Sequence, residues 1–395
     1  MPVRWNMRLA GLALVPTVIV ACGQPASSQK GQSPSPGATG SRTTASASPN
    51  PTTLAAFPVA KGVTCPDLRP FGLNLYLERP SDYNRHEAVL CVAQQLDRPL
   101  ALHALDSART IGFVSDTVIG YVQQSGNGPS DASGAIKTLD LTSQQVKTVA
   151  TTQSGFIGSL AWSHDQSMVA FATDTGDAHH FWLKRDADEV KALTSPIQLF
   201  GRGGIEGDES LVAFSPDDQY VLFVDTPVYR LQVFRTSDGG AAYTAPSGQG
   251  GLRTMATWSH KSDQMYFRND SGIYRWDPTS GISSFAAGIR WENPVFSPDD
   301  RYLAYTVWNS AGTTHVVIRD TTNNQTTSSP PLRLSQEFLS NVVLLEQVTQ
   351  PCGTEGPCGP FARTGSTSTL RIDSGAEGQL PMPAGWGLDA FWQGH

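Results

Sequence analysis

Two histidines, His164 and His260, occupy matching positions in the segments Trp162-Ser163-His164-Asp165 and Trp258-Ser259-His260-Lys261. Imidazoles repeated at one structural position can share a metal or a ligand, because a neutral ring nitrogen is a metal donor and a protonated ring pairs with anions. Two further segments carry acid pairs at the same offset, Phe214-Ser215-Pro216-Asp217-Asp218 and Phe296-Ser297-Pro298-Asp299-Asp300. Oxygen donors grouped on one face attract a hard cation. The competing reading of all four segments is a tight polar turn, for which Asp and Ser are ordinary residues, and it needs no ligand. His164, His260, Asp217 and Asp299 are therefore the candidate ligand contacts, with no metal and no cofactor assigned. The pair His179-His180 follows Asp174 and Asp177. Neighbours in a strand point to opposite faces, so this pair reads as a loop-to-strand junction and not as two ligands of one metal.

Catalytic signatures are missing from the chain. There is no Gly-x-Ser-x-Gly elbow, no His-Glu-x-x-His and no Gly-x-x-x-x-Gly-Lys, the patterns that would supply a nucleophile, a zinc site or a phosphate cradle. No catalytic residue is assigned. Two function classes stand: a non-catalytic protein- or glycan-binding scaffold, and a second reading as an enzyme of extracellular saccharides or lactones built from scattered loop residues.

The elements that must position these residues are repeats. Four units run from an apolar strand ending in an aromatic, through a Ser- and Asp-rich turn, into a second apolar strand: Ser159–Ala172, Val212–Val224, Thr257–Phe267 and Pro294–Thr306. Their aromatic–Ser anchors at 162, 214, 258 and 296 are 52, 44 and 38 residues apart, near the 40–45 of a propeller blade. The second strand is expected to alternate inward and outward residues. A single four-stranded sheet cannot cover both faces, whereas sheets arranged radially cover one another.

These segments resemble the TolB-like, WD-repeat-like family, whose unit runs aromatic-Ser-Pro-Asp-Gly before an apolar strand. Phe214–Val224 and Phe296–Thr306 match best, with Asp218 and Asp300 where Gly is usual, while His164 and His260 replace Pro. The resemblance covers about residues 155–330 and implies a β-propeller. It implies nothing specific about function, because blades of this kind serve as binding discs, peptidase gates and enzymes.

Weaker units extend the ring. Thr110–Val122 with Ile136–Val149 reads as one blade, and Phe338–Val348 with Ser368–Asp373 as another. Residues 63–105 form a seventh or, over Glu87–Leu96, a short helix. Gly387–Trp392 looks like a first strand with nothing after it, as expected of a C-terminal strand that completes an N-terminal blade and removes the open edges. The fold expected is all-β, a single propeller of six or seven four-stranded blades over residues 57–395. The abundance of Gly and Pro, 37 and 27 residues, agrees with a turn-rich β protein.

Residues 1–21 read as an export signal, with Arg4 and Arg8 ahead of an apolar stretch, Leu9–Ala21, too short to span a bilayer. Ile19-Val20-Ala21-Cys22-Gly23 resembles the bacterial lipoprotein box, which implies that Cys22 carries lipid. Residues 22–56 combine this cysteine with a Ser-, Thr-, Pro- and Gly-rich linker that cannot bury enough apolar surface to order itself. A flexible chain of about 34 residues reaches roughly 30 Å. The expected location is the outer face of the cell membrane, with the lipid anchor as membrane partner, an envelope protein or glycan as second partner, and a monomeric state.

With Cys22 assigned to the anchor, Cys65, Cys91, Cys352 and Cys358 form an even set for an oxidising compartment. The short Gly- and Pro-rich segment between Cys352 and Cys358 reads as a local disulfide loop, which leaves Cys65 to pair with Cys91. The exposed loop 351–363 is a candidate contact element. The formal net charge is −7, and setting aside Arg4, Arg8, Lys30 and Arg42, which have no acid among them in the first 60 residues, leaves −11 for the rest. Such a surface repels phosphate backbones and excludes nucleic acid as a partner.

Overall fold

The structure is a computed structural model. It describes residues 52–53, 59–66, 73–82, 85–91, 99–101, 108–126, 132–153, 155–186, 190–193, 197–198, 210–225, 230–246, 256–269, 271–289, 291–309, 313–351, 361–380 and 387–393. Cys22, the export signal, most of the linker, and Cys352 and Cys358 lie outside them.

Among the described residues there are seven antiparallel sheets and no helix. Blade 1 is made of Leu73–Asp82, Arg85–Cys91 and Leu100–Ala101, with Gly387–Gln393 added at its inner edge. Blade 2 comprises Ala108–Phe113, Val118–Ser125, Ser133–Asp140 and Gln145–Thr152. Blade 3 comprises Phe156–Trp162, Met168–Asp174 and Ala178–Arg185, edged by Lys191–Ala192 and Ile197–Gln198. Blade 4 runs through Ser210–Phe214, Tyr220–Asp225, Arg230–Arg235 and Ala241–Thr244. Blade 5 runs through Ala256–Trp258, Met265–Asn269, Gly272–Asp277 and Gly281–Ala287. Blade 6 contains Glu292–Phe296, Tyr302–Trp308, Thr314–Asp320 and Thr326–Ser328. Blade 7 contains Arg333–Ser340, Val343–Pro351, Phe361–Arg371 and Glu377–Leu380. The strand Arg85–Cys91 decides the ambiguous N-terminal region in favour of a blade over the helix.

Each sheet packs on the next because the second strand of a blade sends alternate side chains to both neighbours. In blade 4, Val221 and Phe223 join Ala170, Ala172 and Phe181 of blade 3, while Leu222 and Val224 join Met265, Phe267 and Trp276 of blade 5. Leu303 and Tyr305 of blade 6 likewise pack on Tyr266 of blade 5, and Ala304 on Phe338 and Leu344 of blade 7. The expected alternation of buried and exposed positions is thus not what the second strands show. Both of their faces are covered, and in blade 4 the second strand is accordingly a continuous apolar run. Val221, Leu222, Phe223 and Val224 are all fully buried.

Burial then falls outward. The outermost strand of blade 6, Thr326–Ser328, is exposed throughout, and polar residues there blunt an edge that would otherwise template further pairing. Between blades 2 and 3, Gly120 makes room for a large side chain. A Cβ at this position would collide with the indole of Trp162.

Closure is made by pairing of the chain's two ends. Leu73–Asp82 pairs antiparallel with Gly387–Gln393, matching Asn74 with Trp392 and Leu75 with Phe391, and the closing strand also packs beside blades 2 and 7. Cys65 and Cys91 form a disulfide at the entry to blade 1. Ahead of it, Thr52–Thr53, from the stretch read as linker, adds a short strand at the outer edge of blade 2, pairing with Val146 and Gln145.

Deleting residues 386–395 removes the inner strand of blade 1 and with it the pairing that joins the ends. The truncated chain should melt at least 10 °C lower than full length or aggregate on expression, as loss of one sheet edge uncovers apolar faces of two blades. A melting curve superimposable on that of the intact chain would show that closure does not depend on this strand.

Candidate functional site

The repeated turns fold alike because the same short side chains close them. In blade 4, Ser215 Oγ donates to Asp217 Oδ1 at 2.8 Å and accepts from the Tyr220 amide at 3.0 Å. Ser297, Asp299 and Tyr302 repeat this in blade 6 at 2.7 and 2.9 Å, as do Ser163, Asp165 and Met168 in blade 3 at 2.7 and 2.8 Å. Blade 5 has no acid at the corresponding position, and Ser259 Oγ bonds Ser262 Oγ at 2.8 Å instead. Asp217 and Asp299, two of the four candidate ligand contacts, are therefore engaged in closing their own turns. They also accept the amides of Gln219 and Arg301.

The next residue in each turn, Asp218 or Asp300, does something the sequence pattern does not announce. Both have φ of 59°, the left-handed conformation in which glycine is usual and Asp is tolerated. From there each carboxylate reaches across to the preceding blade. Asp218 accepts the amides of His164 and Asp165 at 2.9 and 3.1 Å and the Nδ1–H of His164 at 2.8 Å. Asp300 accepts the amides of His260 and Lys261 at 2.7 and 2.8 Å and the hydroxyl of Ser259 at 2.6 Å. A threonine braces each clasp from its own blade, Thr236 Oγ1 donating to the Asp218 carbonyl and Thr321 Oγ1 to that of Asp300.

His164 and His260 consequently share a position but not a role. A carboxylate only accepts, so the bond to Asp218 places the proton of a neutral His164 on Nδ1. The His164 ring is half-exposed. His260 is buried more deeply and its Nε2 donates to the Phe296 carbonyl at 3.2 Å. Burial holds it below the ordinary histidine range, and the positive form of His164 acts in the same direction. No three His, Cys, Asp or Glu side chains converge as a metal site among the described residues.

Between blades 4 and 5 the clasp is replaced by two facing acids. Asp263 is pushed up to about 6, first by burial and then by Asp217, whose carboxylate its protonated form hydrogen-bonds. This carboxyl favours folding in its protonated form, so the contribution declines as pH rises from about 4 towards 6. The remaining sequence candidates lie elsewhere. His179 is buried in the strand Ala178–Arg185, 3.9 Å from Asp174 Oδ2, while His180 stacks on Trp182 with ring centroids 5.7 Å apart. The two rings face opposite sides of the sheet. Most of loop 351–363, including Cys352 and Cys358, lies outside the described residues.

No protein-family model matches the chain, and no curated protein matches it in sequence. Solved structures do match. The crystallographic study of two prolyl endopeptidases gives a TM-score of 0.52 at 10% identity, covering 85% of this chain and 50% of that one. A protein from Lactobacillus plantarum gives 0.50 at 11% identity over 81% of this chain and 98% of the other. TolB from Acinetobacter baumannii aligns over 81% of this chain and 67% of its own length at 15% identity, with a TM-score of 0.44. The neighbours thus include TolB-like β-propeller proteins as well as enzymes, and the likeness is one of fold.

Two substitutions at one position separate the clasp from the backbone it requires. Asp218→Ala loses the interblade hydrogen bonds and leaves a Cβ residue in the left-handed region, whereas Asp218→Gly loses the bonds alone. Stability should fall in the order wild type, Gly, Ala, with the first step costing about 1–3 kcal/mol and the second roughly 1 kcal/mol more. Chemical denaturation of the three proteins measures this, and a glycine variant as stable as wild type would show that the clasp contributes nothing.

Proposed function

We propose that this chain is a lipid-anchored extracytoplasmic propeller acting as a non-catalytic scaffold for a protein or glycan partner in the cell envelope. The observation that carries this reading is the use made of the polar turn face. Asp217 and Asp299 close their turns, while Asp218 and Asp300 hold the preceding blades. Groups bound in this way give a rigid platform, and rigidity lowers the ordering cost of binding a partner. The anchor follows from the lipobox-like segment ending at Cys22, and the linker places the platform beyond the bilayer surface. The acidic balance of the folded part directs partner choice away from nucleic acid.

A second reading, an enzyme of extracellular saccharides or lactones, has one specific observation in its favour. The His164 ring is half-exposed and oriented by Asp218 through Nδ1 at 2.8 Å, the arrangement in which a carboxylate holds an imidazole ready to move a proton.

Two measurements decide between these readings. Cross-linking of the native lipidated protein in intact cells should recover a defined envelope partner, and Cys22→Ala should be released from membranes or stay as uncleaved precursor, with the partner yield falling along with it. His164→Ala should leave partner capture within about twofold of wild type, as removal of one rim contact is worth little. Equal membrane retention of wild type and Cys22→Ala would refute the anchor. Turnover of a saccharide or lactone that disappears in His164→Ala would replace the scaffold reading with the enzymatic one.

A further inference from the structure

The seam between blades 6 and 7 contains a carboxyl that the turn-face clasps do not explain. Glu346 sits in the strand Val343–Pro351 with its side chain fully buried. Among the described residues neither of its carboxylate oxygens makes a well-formed hydrogen bond, since the Ser329 hydroxyl, which weakly favours its charged form, donates to the Pro330 carbonyl at 2.9 Å. The hydroxyl of Ser368, its cross-strand neighbour, has no partner either. The nearest cation is Arg333, whose Nε lies 3.9 Å from Glu346 Oε2 and itself lacks a hydrogen bond. That guanidinium is already divided. Its Nη2 donates to Glu377 Oε2 at 3.2 Å, and its Nη1 reaches the carbonyls of Pro331 and Leu332 at 3.5 and 3.3 Å.

These contacts fall on the connection between the two blades, which is strained. Leu332 has φ of 63°, a left-handed conformation that costs a side-chain-bearing residue on the order of 1–2 kcal/mol. It is held there by its amide, which donates to the Thr314 carbonyl at 2.6 Å, and by its carbonyl, which accepts the Thr349 amide at 3.0 Å as well as Arg333. Thr314 belongs to blade 6 and Thr349 to blade 7, and their hydroxyls also bond each other at 2.6 Å.

The charged surroundings of Glu346 are few. On blade 7 they are Arg333 and, beyond it, Glu377, while Glu337 on the paired strand Arg333–Ser340 is a second acid that burial pushes up to about 7 and that accepts the Phe338 amide at 3.2 Å. The blade 6 side chains on the facing side of the strand Thr314–Asp320 are Thr314, Val316, Ile318 and Asp320, and Asp320 is paired with Arg301. His315 and Arg319 alternate to the other side of that strand. Arg333 is therefore the one cation placed to answer a negative charge on Glu346 among the described residues.

We propose that Glu346 and Arg333 form a proton-controlled joint between blades 6 and 7, in which ionisation of the buried carboxyl draws the guanidinium inward and away from Glu377 and the Leu332 connection. The neutral acid tolerates its unpaired burial, while the carboxylate does not, since an unpaired buried charge is far costlier than an unpaired neutral polar group. Burial pushes Glu346 up to about 7 despite the nearby Arg333 charge. The sign follows from linkage. A carboxyl with a raised folded value stabilises the closed seam when protonated, and that stabilisation declines as pH rises from about 4.5 to about 7, then levels off.

Hydrogen–deuterium exchange of the full-length chain between pH 5 and pH 8, corrected for intrinsic exchange, tests the joint. Protection of the Leu332 and Thr349 amides should fall on the order of tenfold or more up to pH 7 and stay level above it. Glu346→Gln, which cannot ionise, should shrink that fall several-fold, to what Glu337 of the same blade contributes, while leaving the pH response of Asp263 between blades 4 and 5 in place. Glu377→Gln alters a half-exposed surface residue and frees Arg333 for Glu346, so the fall should be smaller and should level off at lower pH. Wild-type protection that does not change with pH, a Glu346→Gln protein with the wild-type response, or a Glu377→Gln response that does not move would each overturn the proposal.

Discussion

Everything in this molecule depends on the fact that its sheets have two apolar faces. A four-stranded sheet whose second strand is buried on both sides cannot exist alone in water, and the only arrangement that covers every such face with more of the same is a closed ring. The side chains of Val221 to Val224 illustrate the constraint, since alternate residues of one short strand belong to the cores of two different seams. Ring closure is then not an accessory. Without the pairing of Leu73–Asp82 with Gly387–Gln393, blade 1 would lack its inner strand, and its neighbours would each have a face exposed.

Apolar packing alone would allow blades to slide on one another, because the hydrophobic effect has no direction. The polar seams supply the direction. Asp218 and Asp300 each bind two amides of the preceding blade's turn, which fixes the height and angle at which the two blades meet. The buried pairs Thr306–Ser335 and Thr314–Thr349 do the same between blades 6 and 7. Carboxyls recur at these places for a physical reason: a turn ends with unpaired amide donors, and a carboxylate can accept several of them at once. Where two acids meet, as Asp217 and Asp263 do, or where one is buried with a divided cation, as Glu346 is, the same chemistry makes a seam sensitive to pH.

This arrangement bears on function by what it leaves outward. The outermost strand of blade 6 is polar and exposed, the turns of blades 3 and 4 and of blades 5 and 6 are cross-linked by hydrogen bonds, and the His164 ring stands half-exposed in an orientation set by a neighbouring blade. A platform of this kind suits recognition of a partner by shape and hydrogen bonding. The N-terminal approach along the outer edge, marked by the pairing of Thr52–Thr53 with blade 2, brings the chain in at the rim.

What the sequence determined by itself is everything that repeats or is local. The aromatic–Ser–x–Asp turns are legible because one Ser and one Asp close each turn through neighbours within five residues, and the disulfide Cys65–Cys91 because the other cysteines could be assigned first. The closing strand was legible as an unpaired strand at the chain's end. Tertiary structure decided the rest, because it depends on which residues of distant segments meet. Seven blades among the described residues rather than six follow from pairing of Leu73–Asp82 with residues 387–393, more than three hundred positions away, and a strand at Arg85–Cys91 rather than a helix follows from its own pairing with Leu73–Asp82. The substitution of Asp for Gly at 218 and 300 reads in sequence as a departure from the usual turn, and only contact with the preceding blade shows it to be an interblade bond. Glu346 stands among apolar residues in a strand where nothing local marks it. Its burial, and the competition for Arg333 that follows, exist only once blade 6 is laid against blade 7.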